Sequence, residues 1–159
     1  MPTPANTSLS MAERLDPTVH AAIARSVASL SHASALMAAS DWALHLAASP
    51  GECMDLARLA LRQGQELAAE AQARMAAGPD KEARHAVATP AQDRRFADPA
   101  WQQWPFNLVH QSFVLTEQWW AAATHGVWGV DKHHEDMVAF AARQFLDVFS
   151  PGNQLATNP

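Results

Sequence analysis

The chain has 159 residues, the length of one ordinary domain, and 48% of them are hydrophobic, which is normal for a folded protein. Its formal net charge of -5 gives no basic stripe that would hold a nucleic-acid backbone. No secretory signal and no apolar run long enough to span a membrane occur in the sequence, and the single cysteine, Cys53, excludes an intrachain disulfide. We therefore expect a cytoplasmic protein, with neither nucleic acid nor a membrane span involved.

Large aromatic side chains are concentrated in the last third of the chain. Of the six Trp and six Phe residues, only Trp42 precedes residue 96. This gradient, together with small polar residues at the start and Pro-rich charged residues near the middle, predicts four segments. They are a disordered N-terminus (1–15), a helical N-terminal segment (16–78), a linker (79–95) and an aromatic-rich helical region (96–159).

Helix start signals place two helices in the first third. Asp16 followed by Pro17 is typical of an N-cap and the first helical position, and apolar residues recur on one face after it. A second helix is expected to begin within 31–34 and to carry the broad apolar arc of Leu36–Ala48. Both belong to the predicted N-terminal helical segment.

A third helix is predicted to begin at the Ser-Pro-Gly-Glu sequence of residues 49–52, which has the pattern of a capping box. In a capping box, the Ser49 hydroxyl accepts a hydrogen bond from the third helical N–H while the Glu52 carboxylate accepts one from the N–H of Ser49. The helix is expected to reach Gly78-Pro79. Glu70 and Arg74 are spaced to pair across one turn.

The second half has the same kind of helix boundaries with heavier side chains. Asp98-Pro99 predicts a short helical turn, Pro105 opens a long helix that ends near Gly126, and Asp131 caps a last helix that stops at Ser150-Pro151-Gly152. Apolar residues of that last helix share one face: Val138, Ala141, Phe145 and Val148. Alternating β-branched runs are absent, so the predicted fold is all-α, a small helical bundle with a preceding helical arm and no β-sheet.

Two groups of residues could in principle form a catalytic or a metal site. Cys53 lies in a Gly-Glu-Cys sequence that resembles half of a nucleophile elbow, but the second glycine and the preceding strand of that motif are missing, which favours an incidental thiol. The cluster His125, His133, His134, Glu135 and Asp136 has metal-ligand side chains, but four of them are consecutive and fan around a helix start. Capping composition explains them better than a metal site, so no metal is expected.

A wide aromatic arc in the second half exceeds what a small bundle can cover. Most of these side chains should form the core, and the remainder should form an exposed apolar patch of the kind used for docking. The interaction-surface candidates are Phe96, Trp101, Trp104, Phe106, Trp119, Trp120 and Trp128.

The stretch QDRRFADPAWQQWPFNLVHQSFVLTEQWW and its continuation GVWGVDKHHEDMVAFAARQFLDVFSPGNQLATNP resemble the N-terminal region of polyhydroxyalkanoate synthases, in particular the poly(3-hydroxybutyrate) polymerases. Upstream, HAAIARSVASLS and DWALHLAASPG resemble a short segment that precedes this region in some of these enzymes. The resemblance extends from His20 to Pro159. It implies a role in polyester synthesis and an association with polyester granules in the cytoplasm.

Full-length members of that family transfer 3-hydroxyacyl groups from coenzyme A thioesters to a growing polyester, with a cysteine, a histidine and an aspartate on an α/β-hydrolase domain that follows this region. Residues 1–159 contain no such cysteine box or triad, and Cys53 does not match the family's nucleophile. We therefore expect no activity from this chain alone, no cofactor, and no catalytic or cofactor-binding residues. The resemblance implies dimerisation, granule localisation or partner binding instead.

Two other functions stay open on the sequence alone. One is a stand-alone helical adapter that binds a synthase, a phasin or the polyester granule. The other, which the residues favour less, is an independent thiol or metal enzyme built on Cys53 or the histidine cluster.

Overall fold

The computed structural model describes residues 31–77, 95–154 and 157–159. The chain divides into two compact units, Met1–Met37 and Ala38–Pro159, and the second contains the tertiary packing described below. The predicted disordered N-terminus, the Asp16-Pro17 helix and all of the predicted linker except Arg95 lie outside the described residues. The four-segment division of the chain therefore stays a prediction.

Four α-helices and two short 3-10 helices make up the described residues. In chain order they are α1 (His32–Ala47), α2 (Pro50–Ala77), a 3-10 helix (Pro99–Gln102), α3 (Phe106–Thr124), α4 (Lys132–Val148) and a second 3-10 helix (Pro151–Asn153). Helix α3 is central, because it packs against α2, α4 and both 3-10 helices. No strand occurs within the described ranges, and the all-α prediction is confirmed.

Local capping explains where the helices of the second half begin. The Asp98 carboxylate accepts a hydrogen bond from the N–H of Ala100 at 2.8 Å and so starts the first 3-10 helix. Asp131 accepts from the N–H groups of His133 and His134 at 2.9 and 3.4 Å and starts α4. Both N-caps agree with the sequence-based prediction.

The predicted capping box at the start of α2 is not formed, although the helix does begin at Pro50. The Ser49 hydroxyl donates to the His45 carbonyl of α1 at 2.8 Å, and the Glu52 carboxylate accepts from the backbone N–H of Trp128 at 3.0 Å. Helix α1 ends two residues before Ser49, so its last backbone carbonyls lack partners within the helix and one of them accepts from the Ser49 hydroxyl. The Glu52 carboxylate binds instead to the loop that carries Trp128, which is distant in sequence.

Tryptophan side chains attach the first two helices to α3. The indole N–H of Trp42 in α1 donates to the carbonyl of Ala123 at 2.8 Å, and that of Trp119 in α3 donates to the carbonyl of Leu56 in α2 at 3.1 Å. The Trp42 and Trp120 rings lie 6.3 Å apart. Each indole thus buries apolar area while its polar N–H finds an acceptor, which is how buried tryptophans are usually accommodated.

The buried core of the second half is aromatic. Phe96, Trp101 and Phe113 form a cluster in which Phe96 meets Trp101 edge to face, with ring centres 4.9 Å apart. Phe106, Val109 and Leu146 pack against this cluster. The core therefore joins the segment before the first 3-10 helix to both α3 and α4, which positions the surfaces described next.

Candidate association surface

The seven aromatic candidates fall into three classes of exposure. Phe96 and Trp101 are buried at 4% and 2% exposed and belong to the core, so they support the surface from beneath. Phe106, Trp119 and Trp120 are half-buried. Trp104 and Trp128 are exposed, at 60% and 82%. Their part in binding stays a prediction, but only these last two present most of their ring to solvent.

A larger exposed aromatic surface lies on α4 and at its C-terminal end. It consists of Phe140, Phe145, Val148 and Phe149, which we call the phenylalanine face. Their exposed fractions are 45%, 64%, 63% and 57%, and the rings of Phe145 and Phe149 are 4.6 Å apart. The sequence did contain the signal, since Phe145 and Val148 belong to the predicted apolar face of the last helix. It was missed as a surface because helical periodicity alone does not say whether an apolar face is covered.

An arginine that precedes the first 3-10 helix joins α3 to α4 through ion pairs. Nη2 of Arg95 donates to both carboxylate oxygens of Glu117 in α3, at 2.8 and 3.0 Å, and Nη1 donates to Asp147 in α4 at 3.0 Å. The guanidinium also lies over the Phe113 ring, 5.4 Å from its centre. A planar guanidinium suits this arrangement, because its donors lie in a fixed fork while its face stacks on an aromatic ring.

A groove of about 550 Å³ runs between α3 and α4 beside this ion pair. Its floor is apolar, with Val114, Trp120 and Leu146, and its rim carries Arg95, Glu117, Gln118, His125, Arg143 and Asp147. The rim holds two carboxylates and two guanidinium groups, so the groove has no strong preference for one sign of ligand charge.

The loop between α3 and α4 is held by three acidic side chains. Glu135 accepts from the N–H of Gly126 at 2.8 Å, Glu52 from that of Trp128 at 3.0 Å, and Asp41 from that of Asp131 at 3.2 Å. The exposed Trp128 indole is therefore carried on a loop whose backbone is fixed on both sides.

Hydrogen bonding lowers the pKa of two carboxylates that hold the loop, Asp41 and Glu135. The ring nitrogen Nδ1 of His134 donates to Asp41 at 2.7 Å, and this bond, with the one from the N–H of Asp131, holds the pKa of Asp41 below its usual value. A hydrogen bond from the Lys132 ammonium, assisted by the N–H of Gly126, likewise lowers the pKa of Glu135. Both groups act as fixed anions that tie the loop to the helices.

Gly129 allows the loop to pass close to α1. Its φ is +90°, and a Cβ added there would lie 2.5 Å from Cδ2 of His45. A side chain at this position would have to displace the imidazole and adopt a backbone conformation that L-residues rarely occupy. Glycine at 129 thus lets Asp131 reach Asp41.

Several side chains of the histidine cluster contact other groups of the protein. His134 faces Asp41, His125 Nδ1 lies 2.8 Å from the Ala121 carbonyl, and the carboxylates of Glu135 and Asp136 both contact Lys132. Within the described parts of the chain, no three His, Cys, Asp or Glu side chains are placed to hold a metal ion. Cys53 is exposed, and its thiol lies 3.2 Å from the Leu46 carbonyl.

Among the helices that the structure describes, none is both long and apolar enough to cross a bilayer.

The fold and this surface define a small all-α unit with an exposed aromatic face. Two family models match the chain: "Poly-beta-hydroxybutyrate polymerase (PhaC) N-terminus" over residues 92–159, and "Poly-beta-hydroxybutyrate polymerase N terminal" over residues 10–52. The chain belongs to the poly-beta-hydroxybutyrate polymerase family, of which it carries the N-terminal region. The resemblance read from the sequence is confirmed.

Two curated relatives are similar to part of this chain. A poly(3-hydroxyalkanoate) polymerase from Methylorubrum extorquens is 36% identical over 74 residues, which is 46% of this chain and 12% of the relative. A poly(3-hydroxyalkanoate) polymerase subunit from Rhizobium etli is 34% identical over 68 residues, 42% of this chain and 11% of the relative. The chain thus spans only a small part of the length of these proteins, and no solved structure matches it.

Proposed function

We propose that this chain is a noncatalytic N-terminal region of a polyhydroxyalkanoate polymerase, and that it localises polymer synthesis by binding the surface of the polyester granule through the phenylalanine face. The observation that carries the proposal is the exposure of Phe145, Val148 and Phe149 at the C-terminal end of α4, with Phe140 exposed in the middle of the same helix. Membership in the polymerase family supplies the context of poly-beta-hydroxybutyrate synthesis.

The chemistry of the phenylalanine face suits an uncharged aliphatic polyester. Burying a large apolar side chain contributes roughly 1.5–3 kcal/mol, so several exposed on one helix end favour any surface that removes them from water. A polyester offers methyl and methylene groups for this, and its ester carbonyls require no charged partner. An apolar contact of this kind should depend little on salt.

Pelleting with poly(3-hydroxybutyrate) particles tests the proposal. The variant Phe145→Gln/Phe149→Gln should lose most of the binding, while its helical content stays unchanged because both side chains are exposed. Leu61→Gln is the matched control, since Leu61 is 63% exposed, as Phe145 is at 64%, but lies on α2. Equal binding of the wild type and the double variant would reject the phenylalanine face as the granule contact.

The phenylalanine face also suits the other roles that the family resemblance implies, dimerisation and binding to a protein partner. Binding to a polymerase or a phasin without binding to bare polyester would move the proposal from the granule to a protein. A stand-alone adapter would behave in the same way, and reading the coding sequence on the 3′ side of the Pro159 codon separates it from a polymerase region.

A further inference from the structure

A groove of about 300 Å³ lies between α2 and α3, whereas the phenylalanine face is on α4. Four residues of each helix line it, with the i, i+3, i+4, i+7 spacing of a single helix face. They are Ala60, Gln63, Gly64 and Leu67 from α2, and Ser112, Leu115, Thr116 and Trp119 from α3. Since small-molecule sites begin at about this volume, the groove suits a small ligand or one end of a longer one.

The groove is open at Gly64 and apolar on its walls. A Cβ added at Gly64 would meet no other atom within 4 Å. The walls include Leu67, Leu115 and Trp119. The indole N–H of Trp119 already donates to the Leu56 carbonyl at 3.1 Å, so Trp119 offers a ligand only its ring. Methyl and methylene groups of a ligand would therefore find apolar contacts here.

Helix α2 contributes the side-chain amide of Gln63 to the groove. Gln63 is 8% exposed, and its Nε2 is buried with no hydrogen-bond partner among the residues that the structure describes. A buried amide N–H without an acceptor is unfavourable, and such groups normally have one. Because this side chain lines the groove, a ligand bound there is placed to supply a carbonyl oxygen as the acceptor.

Helix α3 contributes two hydroxyl groups that act as acceptors. The Ser112 hydroxyl donates to the carbonyl of Val109, and the Thr116 hydroxyl donates to the carbonyl of Ser112, both at 2.8 Å. Each hydroxyl has a single proton, and that proton is used within α3. The two oxygens keep lone pairs for a ligand, so a ligand should donate a hydrogen bond on this side of the groove.

None of the described residues that line the groove carries a charged side chain. An ionised ligand would lose hydration there without gaining a charged partner. The lining therefore specifies a neutral molecule with an acceptor carbonyl, a donor hydroxyl and an apolar body, which is the chemistry of a hydroxy ester.

We propose that the groove between α2 and α3 binds an uncharged 3-hydroxy ester. Its carbonyl accepts from Gln63, its hydroxyl donates to Ser112 or Thr116, and its hydrocarbon part lies against the apolar walls. Membership in the poly-beta-hydroxybutyrate polymerase family selects the 3-hydroxy ester among hydroxy esters. The hydroxyl end of such a polyester chain has this chemistry, as does an ester of a single unit.

Half of the groove is built by a part of the chain that the family models do not cover. Those models match residues 10–52 and 92–159, and the four lining residues of α2 lie between them. Family membership alone therefore does not supply this site. The inference also goes beyond the proposed function, because the groove would hold one chain end and lies apart from the face proposed to bind a granule surface.

Titration of the whole chain with methyl 3-hydroxybutyrate, followed by NMR shifts of the backbone amides of residues 60–67 and 112–119, tests the ligand class. A ligand of this size should bind with a dissociation constant on the order of millimolar. Methyl butyrate, which lacks the hydroxyl, and the 3-hydroxybutyrate anion should each bind several-fold more weakly. Shifts that are absent at about ten times the expected dissociation constant, or an anion that binds as well as the ester, would overturn the proposal.

The variant Gln63→Leu separates ligand binding from folding. Leucine has a similar size and no polar atoms, so urea unfolding should show a chain at least as stable as the wild type. The same variant should bind methyl 3-hydroxybutyrate roughly tenfold more weakly, because the hydrogen bond to the ester carbonyl is lost. Gln72→Leu is the matched control, since Gln72 is exposed on α2 outside the groove and should leave binding unchanged. Unchanged binding in Gln63→Leu would reject the amide as a ligand contact and with it the proposal.

The variant Gly64→Leu fills the groove. The space at Gly64 is open and leucine is a better helix former than glycine, so this chain should fold and lose the ester. Phe145→Gln/Phe149→Gln should keep ester binding, because those side chains lie on α4 or at its end. Ester binding that survives in Gly64→Leu and disappears in the double phenylalanine variant would overturn the groove proposal.

The same variants distinguish this proposal from granule binding. A Gly64→Leu chain that still pellets with polyester particles but no longer binds the methyl ester would support both sites. A double phenylalanine variant that pellets as the wild type does would reject the granule contact, while its retained ester binding would support the groove.

Discussion

Arg95 and Glu117 form a two-pronged ion pair in which one guanidinium nitrogen donates to both carboxylate oxygens, at 2.8 and 3.0 Å. Arg95 also reaches Asp147 in α4, at 3.0 Å, and lies over the ring of Phe113. One side chain thus joins the segment before the first 3-10 helix to α3 and α4. The arginine belongs to the sequence RRFADPAW, which carried the family resemblance.

Replacing Arg95 by alanine should destabilise the fold by about 1.5–3 kcal/mol, because the guanidinium makes charge-assisted hydrogen bonds and packs on an aromatic ring at a partly buried position. Arg58→Ala is the control, since the Arg58–Asp55 pair is 62% and 77% exposed and lies within one helix. That variant should cost less than about 1 kcal/mol. Urea unfolding measures both, and equal losses would contradict the bridging role of Arg95.

The tryptophans should differ as strongly as their burial does. Trp101 is 2% exposed and packs on Phe96, so Trp101→Ala should cost roughly 3–5 kcal/mol and leave a cavity in the core. Trp128 is 82% exposed, so Trp128→Ala should stay within about 0.5 kcal/mol. Thermal and urea unfolding give the two values. A large loss for Trp128→Ala would mean that its ring is covered in solution.

Most helix boundaries could be predicted from the sequence, because they depend on local chemistry. Asp98 and Asp131 cap the helices that follow them, and the predicted pair of Glu70 and Arg74 forms at 3.2 Å with both side chains largely buried. Each of these interactions joins residues within about one turn of each other.

The partners of Ser49 and Glu52 could not be predicted, because they are decided by contacts distant in sequence. Glu52 binds the backbone of Trp128, 76 residues away. Which aromatic residues lie in the core and which on the surface could not be predicted from the sequence for the same reason. Periodicity identified Phe145 and Val148 as one face, but the position of α3 leaves that face exposed.

The purified chain should release no coenzyme A from 3-hydroxybutyryl-coenzyme A. Acyl transfer through a covalent intermediate requires a nucleophile activated by a positioned base. The thiol of Cys53 is exposed and contacts a backbone carbonyl, at 3.2 Å, which does not activate it. A thiol-release assay on the purified chain checks this. Turnover that persists through purification and disappears in Cys53→Ser would contradict it.

The hydrogen bonds that join Asp41 to the N–H of Asp131 and to His134 should weaken in acid. Hydrogen bonds from His134 and from the N–H of Asp131 lower the pKa of Asp41 in the folded chain. The resulting stabilisation is complete above the unfolded pKa of about 3.9 and is lost as the pH falls below 4 through the lower folded value. Asp41→Asn should therefore be less stable than the wild type at pH 7 and lose less stability between pH 4.5 and 3.

Urea unfolding midpoints measured across that pH range test this expectation. Asp55→Asn is the control, because Asp55 is exposed and its variant should respond to pH as the wild type does. An acid response of Asp41→Asn as steep as that of the wild type would show that this carboxylate does not hold the loop.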